Sequence, residues 1–340
     1  MKHLFAPVSL ALGICACTAS AGNVSEETQA VASSLKGSVF VANKRGNTLS
    51  LIDLASGAEV QRVDSCTNPH ELAVSPDRQH VALACYGGTS VDLFRTADLA
   101  KVKSIDLGEN ARPHGIVWHP NGDLYVTAEG RQSIFRVANP TSAADTSEFA
   151  TNQRGSHMLA VAPDAHTAWT TDLGSKTVTR IDLVGNDPLI SREVGIEPEG
   201  ISLAPDGGTL WVSTRGSNKA FALDPHTLEL RHEIDTGRFP LRIAVRPQGD
   251  VAVTSDLADG GLSVIDTASA EVIRTIAVSS PEEAERRFQV TIAWSGDGER
   301  IYVAETGTNT VAEVDFGSGQ VLRRLTTGEG GDGLAVLDAS

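Results

Sequence analysis

An all-β fold, a seven-bladed β-propeller closed by a C-terminal inner strand, is predicted by three observations. A turn marker recurs as Pro76, Pro120, Pro163, Pro205, Pro247 and Gly296, at spacings of 44, 43, 42, 42 and 49 residues. Around it lie short β-branched segments bounded by Gly, Pro, Asn and Asp, with no competing stripe of helical period. The segment after the marker occurs seven times, starting at residues 39, 81, 124, 168, 210, 251 and 301. A period near 42 built from short strands indicates one four-stranded blade per repeat rather than a helical solenoid.

Within a repeat the order is inner strand, tight turn, second strand, Gly-rich turn, third strand, turn, outer strand. Inner strands read Leu72-Ala73-Val74, Ile201-Ser202-Leu203 and Ile243-Ala244-Val245. Second strands read Leu124-Tyr125-Val126-Thr127 and Leu210-Trp211-Val212-Ser213, and third strands end in Asp53, Asp182, Asp224, Asp266 and Asp315. Val272-Ile273-Arg274-Thr275-Ile276 represents the outer strand. The first copy lacks its inner strand, and the chain ends with an orphan one, Gly333-Leu334-Ala335-Val336. Pairing the two closes the ring and leaves only short, protected edges. The long 49-residue spacing comes from the segment 281–288, predicted as a one- or two-turn helix over one face.

The units PHELAVSPD, PEGISLAPDGGTLWVSTRGSN and IYVAETGTNTVAEVD resemble the YVTN-type repeat of secreted bacterial and archaeal propellers, a group placed with the lactonase-like seven-bladed propellers. The resemblance covers about residues 37–340 and implies one propeller domain. It transfers no catalytic residue, because the group mixes enzymes with surface proteins and no lactonase motif is present.

Residues 1–21 combine a short positive start with an apolar stretch too short to span a bilayer, which reads as an export signal. Ala19-Ser20-Ala21 offers a signal-peptidase site, whereas Ile14-Cys15-Ala16-Cys17 resembles a lipoprotein box that would place a lipid on Cys17. Both readings predict a periplasmic or cell-surface protein, with membrane contact only through that lipid. Residues 22–36, rich in Ala, Ser and Glu, are expected to be a flexible tether. Cys66 and Cys85 then remain in the domain, at the same end of neighbouring antiparallel strands, and in an oxidising compartment a disulfide is expected. A net charge of −15 without a basic stripe argues against a nucleic-acid partner. The expected state is a monomer.

The inner strands open alike: Pro-His-Glu-Leu at 69–72, Pro-His-Gly-Ile at 113–116, Ser-His-Met-Leu at 156–159 and Pro-Glu-Gly-Ile at 198–201. Aligned in blade order, the second position reads Asp332, His70, His114, His157, Glu199, Leu241, Val290. A ring brings these positions together at one mouth of the channel. Three imidazoles with two carboxylates form the donor set of a divalent transition metal, zinc favoured, copper or iron also fitting. Duplication of one blade produces the same column without any chemistry. The turns after the second strands rim the same mouth and supply Glu129 and Tyr86 as candidate general base or acid, and Arg215. Arg242, next to its column position, is a candidate for orienting an anionic group.

Two functions follow. The first is metal-assisted hydrolysis or lyase chemistry on a small anionic or lactone-like molecule at the channel mouth. The alternative is a non-catalytic envelope protein that binds a protein partner, or a metal, on that face.

Overall fold

The computed structural model describes residues 1, 37–185 and 187–338. Apart from Met1, the expected export signal, the lipid site at Cys17 and the tether lie outside the described residues. Seven four-stranded antiparallel sheets follow one another, six of them built from four consecutive strands. In the remaining sheet Ser38–Asn43 pairs with Thr48–Asp53 on one side and with the last strand, Gly331–Leu337, on the other. The predicted closure is therefore present, with pairs such as Phe40↔Ala335 and Val41↔Leu334. This sheet is blade 1. Blades 2 to 7 begin at the inner strands Pro69–Val74, Pro113–Trp118, Ser156–Val161, Pro198–Leu203, Pro240–Val245 and Gln289–Trp294.

The second strands Leu124–Ala128 and Val251–Asp256 are buried along their whole length. Both faces of a blade pack on its neighbours, so these strands read as unbroken apolar and small runs instead of alternating ones. The core is consequently divided among the blade interfaces. One such cluster joins Ala82, Val91 and Leu93 of blade 2 to Trp118, Leu124 and Val126 of blade 3. Burying each large aliphatic side chain there contributes about 1.5–3 kcal/mol. Outer strands such as Lys101–Asp106 are mostly exposed. The disulfide between Cys66 and Cys85 is formed, with the Cα atoms 5.6 Å apart. The predicted helix is present as Pro281–Arg287, and the carbonyl of its last residue accepts from Gly307 N–H at 2.8 Å.

Two backbone devices shape the mouth. The residue before every inner strand has a left-handed φ: Gly330, Asn68, Arg112, Gly155, Glu197, Phe239 and Phe288. Five of these carry side chains, at a cost of order 1 kcal/mol each, so the rim is decorated where glycine would be easiest. The second device is a bulge. Pairing of Pro69 with Cys85 resumes at Leu72 with Leu83, skipping two residues on the inner strand but only one on its partner. The same register shift occurs in the other six inner strands. Bulges re-aim the side chains they free from the ladder. Those side chains are the predicted column and the residue after it.

Candidate functional site: a histidine and carboxylate cluster at the channel mouth

His70, His114 and His157 come together as a tilted stack, with ring centroids 3.9 Å apart for the first pair and 3.7 Å for the second. All three are buried, His114 to 1% exposure. Inner strands must run very close for this to happen, and glycine makes it possible. A Cβ on Gly115 would lie 2.8 Å from the carbonyl oxygen of His157, and one on Gly333 would lie 2.0 Å from that of His70. Tyr86, from the turn after the second strand of blade 2, stands edge-on to His70 at 5.5 Å and to His114 at 5.4 Å.

The carboxylates are not free. Glu199 accepts from His157 Nε2 at 2.8 Å and from Arg242 Nη1 at 2.7 Å, both through Oε1. Its Oε2 lies 2.8 Å from Arg215 Nη1 as an ion pair, off the line of a hydrogen bond. Asp332 accepts from Lys44 Nζ at 2.9 Å. The same ammonium lies 3.0 Å from His70 Nε2. Because an ammonium only donates, Nε2 is the acceptor there and Nδ1 carries the ring proton. Glu129, on a single 3-10 turn, bonds His157 Nδ1 through Oε1 and accepts from the Tyr86 hydroxyl at 2.8 Å through Oε2. Arg112 in turn donates to the Tyr86 oxygen and stacks over its ring at 4.5 Å.

One residue further along the inner strands lies a second ring: Gly333, Glu71, Gly115, Met158, Gly200, Arg242 and Thr291. Its only charged members, Glu71 and Arg242, meet across the channel at 2.7 Å. Arg242 was expected to be an isolated charge for an anionic ligand. Instead it is committed to two buried carboxylates, Glu71 and Glu199. A continuous chain of charged and polar groups therefore runs Glu71, Arg242, Glu199, His157, Glu129, Tyr86, Arg112.

Protonation follows from these contacts. Burial drives His114 well below its ordinary value, reinforced by nearby positive charge, foremost His157, so it is neutral at pH 7. His157 goes the other way. Burial opposes its charge, but Glu199 and Glu129 on opposite edges raise it to about 9. Glu199 is held well below the carboxylate range, burial being overridden by His157, Arg242 and Arg215. Burial likewise works against charge on Glu71, yet Arg242 and His70 hold it at about 2. Burial and Glu129 push Tyr86 to about 12, which keeps it a hydrogen-bond donor. Among the described residues, neither ring nitrogen of His114 has a hydrogen-bond partner.

All five column residues thus surround one mouth, while Leu241 and Val290 pack with Leu257 as its apolar side. Arg112, which holds Tyr86, was not singled out by sequence; Glu71, beside its column histidine, pairs across the channel with Arg242 and lies 3.7 Å from His70 Nδ1. The signal existed: Glu71 and Arg242 are one acid and one base in a ring otherwise of small and uncharged residues, and Arg112 is the single basic residue of the pre-strand column.

Fold and site define a seven-bladed propeller with a polar, histidine-lined channel mouth. The chain matches the YNCE-like beta-propeller family over residues 36–286 and belongs to it. No curated protein is significantly similar in sequence. Among solved structures, a functionally unknown protein from Desulfotomaculum acetoxidans is 14% identical with a TM-score of 0.74, over 89% of this chain and 99% of that one. Hydrazine synthase from Kuenenia stuttgartiensis is 16% identical with a TM-score of 0.68, over 80% and 96%. A streptogramin B lyase is 19% identical with a TM-score of 0.67, over 79% and 87%. These likenesses carry the fold alone.

Proposed function

We propose that the channel mouth is a small-molecule site where a divalent transition metal, zinc favoured, assists hydrolysis or lyase chemistry on a small anionic or lactone-like compound. One observation carries this reading. His114 is a buried, neutral imidazole with neither nitrogen partnered among the described residues, whereas His70, Glu199, Arg242 and Asp332 each leave a single atom unpartnered. Buried polar groups without partners are uncommon and call for an explanation, and a ligand at that nitrogen supplies one. A metal bound there would polarise a carbonyl or acidify a bound water. The chain's own residues do the rest. Tyr86, which stays protonated, can donate to an oxygen of a ligand beside it.

The raised value of His157 sets a cost for metal binding. Removing its proton at pH 7 from a group at about 9 costs about 3 kcal/mol, against about 10–16 kcal/mol for structural zinc binding. An extracytoplasmic setting is part of the proposal, supported by the reading of residues 1–21 as an export signal and by the disulfide, a bond of oxidising compartments. A membrane tether enters only through a lipid on Cys17.

The test uses purified mature chain, stripped by chelator and reloaded with zinc, against a panel of lactones and esters. Zinc-dependent ring opening that disappears in His114→Ala is the expected result. Metal-loaded protein that turns over none of the panel, and binds none of it, ends the reading.

A further inference from the structure

Resting on the metal reading above, the geometry points to a narrower seat than the five-residue column: His114, Glu129 and His157 hold the ion, and Glu199 and Tyr86 brace it from outside. At the mouth, two sets of three candidate ligand atoms among the described residues lie within 4.8 Å of one another, His70 with Glu71 and His114, and His114 with Glu129 and His157. They share His114, so at the level of distance they are equivalent. Their surroundings are not.

In the first set each partner of His114 is already engaged by a cation. Lys44 occupies the lone pair of His70 Nε2 at 3.0 Å, which leaves the ring proton on Nδ1. Glu71 is held by the Arg242 guanidinium at 2.7 Å. A dication placed there meets an ammonium and a guanidinium in a buried site, where Coulomb repulsion is weakly screened. The remaining column acid on that side, Asp332, is bonded to the same Lys44.

The second set has the opposite character. Neither the Glu129 carboxylate nor the His157 ring is bonded to a Lys or Arg side chain; their side-chain hydrogen bonds are with each other, Tyr86 and Glu199, and the Arg112 guanidinium lies behind Tyr86. Each has one ligand atom turned toward the set and its other polar atom held from behind. Glu129 presents Oε1 while Oε2 accepts from Tyr86, and His157 presents Nδ1 while Nε2 faces Glu199 at 2.8 Å. A carboxylate behind the distal nitrogen of a ligating histidine is the usual way proteins orient such a ring and raise its basicity. Arg215 and Arg242 hold that carboxylate in place. Two nitrogens and one carboxylate oxygen, with a position left open, is the donor set of catalytic rather than structural zinc. Glu199, from the column, is therefore a positioning residue, and Glu129, from a rim turn, is a ligand.

Binding of Co²⁺ and Zn²⁺ to chelator-stripped protein tests this, read by calorimetry and by the visible bands of Co²⁺, without any substrate. Wild type is expected to take up one equivalent. Glu129→Gln and His114→Ala should weaken binding by about 100-fold or more, and Glu199→Gln by about 10–100-fold, the range for outer-shell partners. His70→Ala and Glu71→Gln should stay within about threefold of wild type, because neither supplies a ligand. Circular dichroism checks folding, and the conservative pair Glu129→Gln and Glu71→Gln decides the matter even if a histidine variant misfolds. Loss of binding in Glu71→Gln with Glu129→Gln unchanged overturns the assignment in favour of the other triad. Absence of any binding by wild type overturns it together with the metal reading.

Discussion

Two pairs of buried carboxylates in this propeller, one at the channel mouth and one at the ends of second strands, are treated in opposite ways. At the channel mouth Glu71 and Glu199 are surrounded by Arg242, Arg215 and imidazoles, and both are held well below their ordinary values. At the ends of the second strands, Asp172 and Asp256 are surrounded by hydroxyls instead. Asp172 accepts from Ser156, Thr170, Thr177 and Thr179 at 2.7–3.0 Å, and Asp256 from Thr254 and Ser263 at 2.6–2.7 Å. Burial raises both to about 6 despite those bonds. The lesson is quantitative. Neutral donors only partly replace the water a carboxylate loses, whereas cations more than replace it.

The same structural position shows the alternatives side by side. The last residue of the second strand is Asn43, Cys85, Ala128, Asp172, Thr214, Asp256 and Glu305 around the ring. Asn43 fills it with a neutral amide bonded to Thr48, Ser50 and Thr327. Cys85 fills it with the disulfide. Glu305 fills it with a carboxylate answered by Arg287 and Arg324. The fold requires only that the position be satisfied.

The contrast is most severely tested at Arg242. Arg242→Met leaves two buried carboxylates without their common cation, and a loss of about 3–5 kcal/mol is expected at pH 7, measured by urea unfolding. A loss below 1 kcal/mol would show that the mouth is wet enough to solvate both acids. Replacing Cys66 and Cys85 together by Ser removes a cross-link with a sequence separation of 19, with an expected loss of about 3 kcal/mol readable in the same experiment.

Smaller and of opposite sign is the effect at the hydroxyl-lined sites. Asp172→Asn copies the Asn43 solution and should stabilise the protein at pH 8 by about 1–2 kcal/mol. At pH 4, where the native carboxyl is already protonated, the gain should vanish. A variant equally destabilised at both values would mean that the hydroxyl cage is specific for the acid.

The smallest expected effect is the shape of the wild-type pH profile. Asp172 and Asp256, raised from 3.8 to about 6, favour the fold fully below pH 3.8 and lose that contribution as pH rises through about 6. Glu71, lowered from 4.5 to about 2, contributes above 4.5 and loses its contribution as pH falls toward 2. His157, raised from 6.5 to about 9, contributes below 6.5 and loses its contribution as pH climbs through 9. Stability should therefore peak between about pH 4 and 6 and decline on both sides. Thermal unfolding across pH 3–10 reads it, and the Asp172→Asn, Asp256→Asn pair should broaden the peak toward neutral pH.

Chain periodicity alone determined the architecture. Seven copies of one strand pattern, a missing first strand and an orphan last one leave a closed ring as the simplest arrangement, and the ring places His70, His114, His157, Glu199 and Asp332 at one mouth. The Cys66–Cys85 pairing was legible for the same reason, because neighbouring antiparallel strands fix which ends meet. Pairing among charges was decided only in three dimensions. Lys44 reaches Asp332 across 288 residues and Arg242 reaches Glu71 across 171. Repeat alignment shows which positions share a level of the channel, but not which side chains point across it. That depends on bulge geometry, on glycines that let strands crowd together, and on the need of every buried charge for a partner.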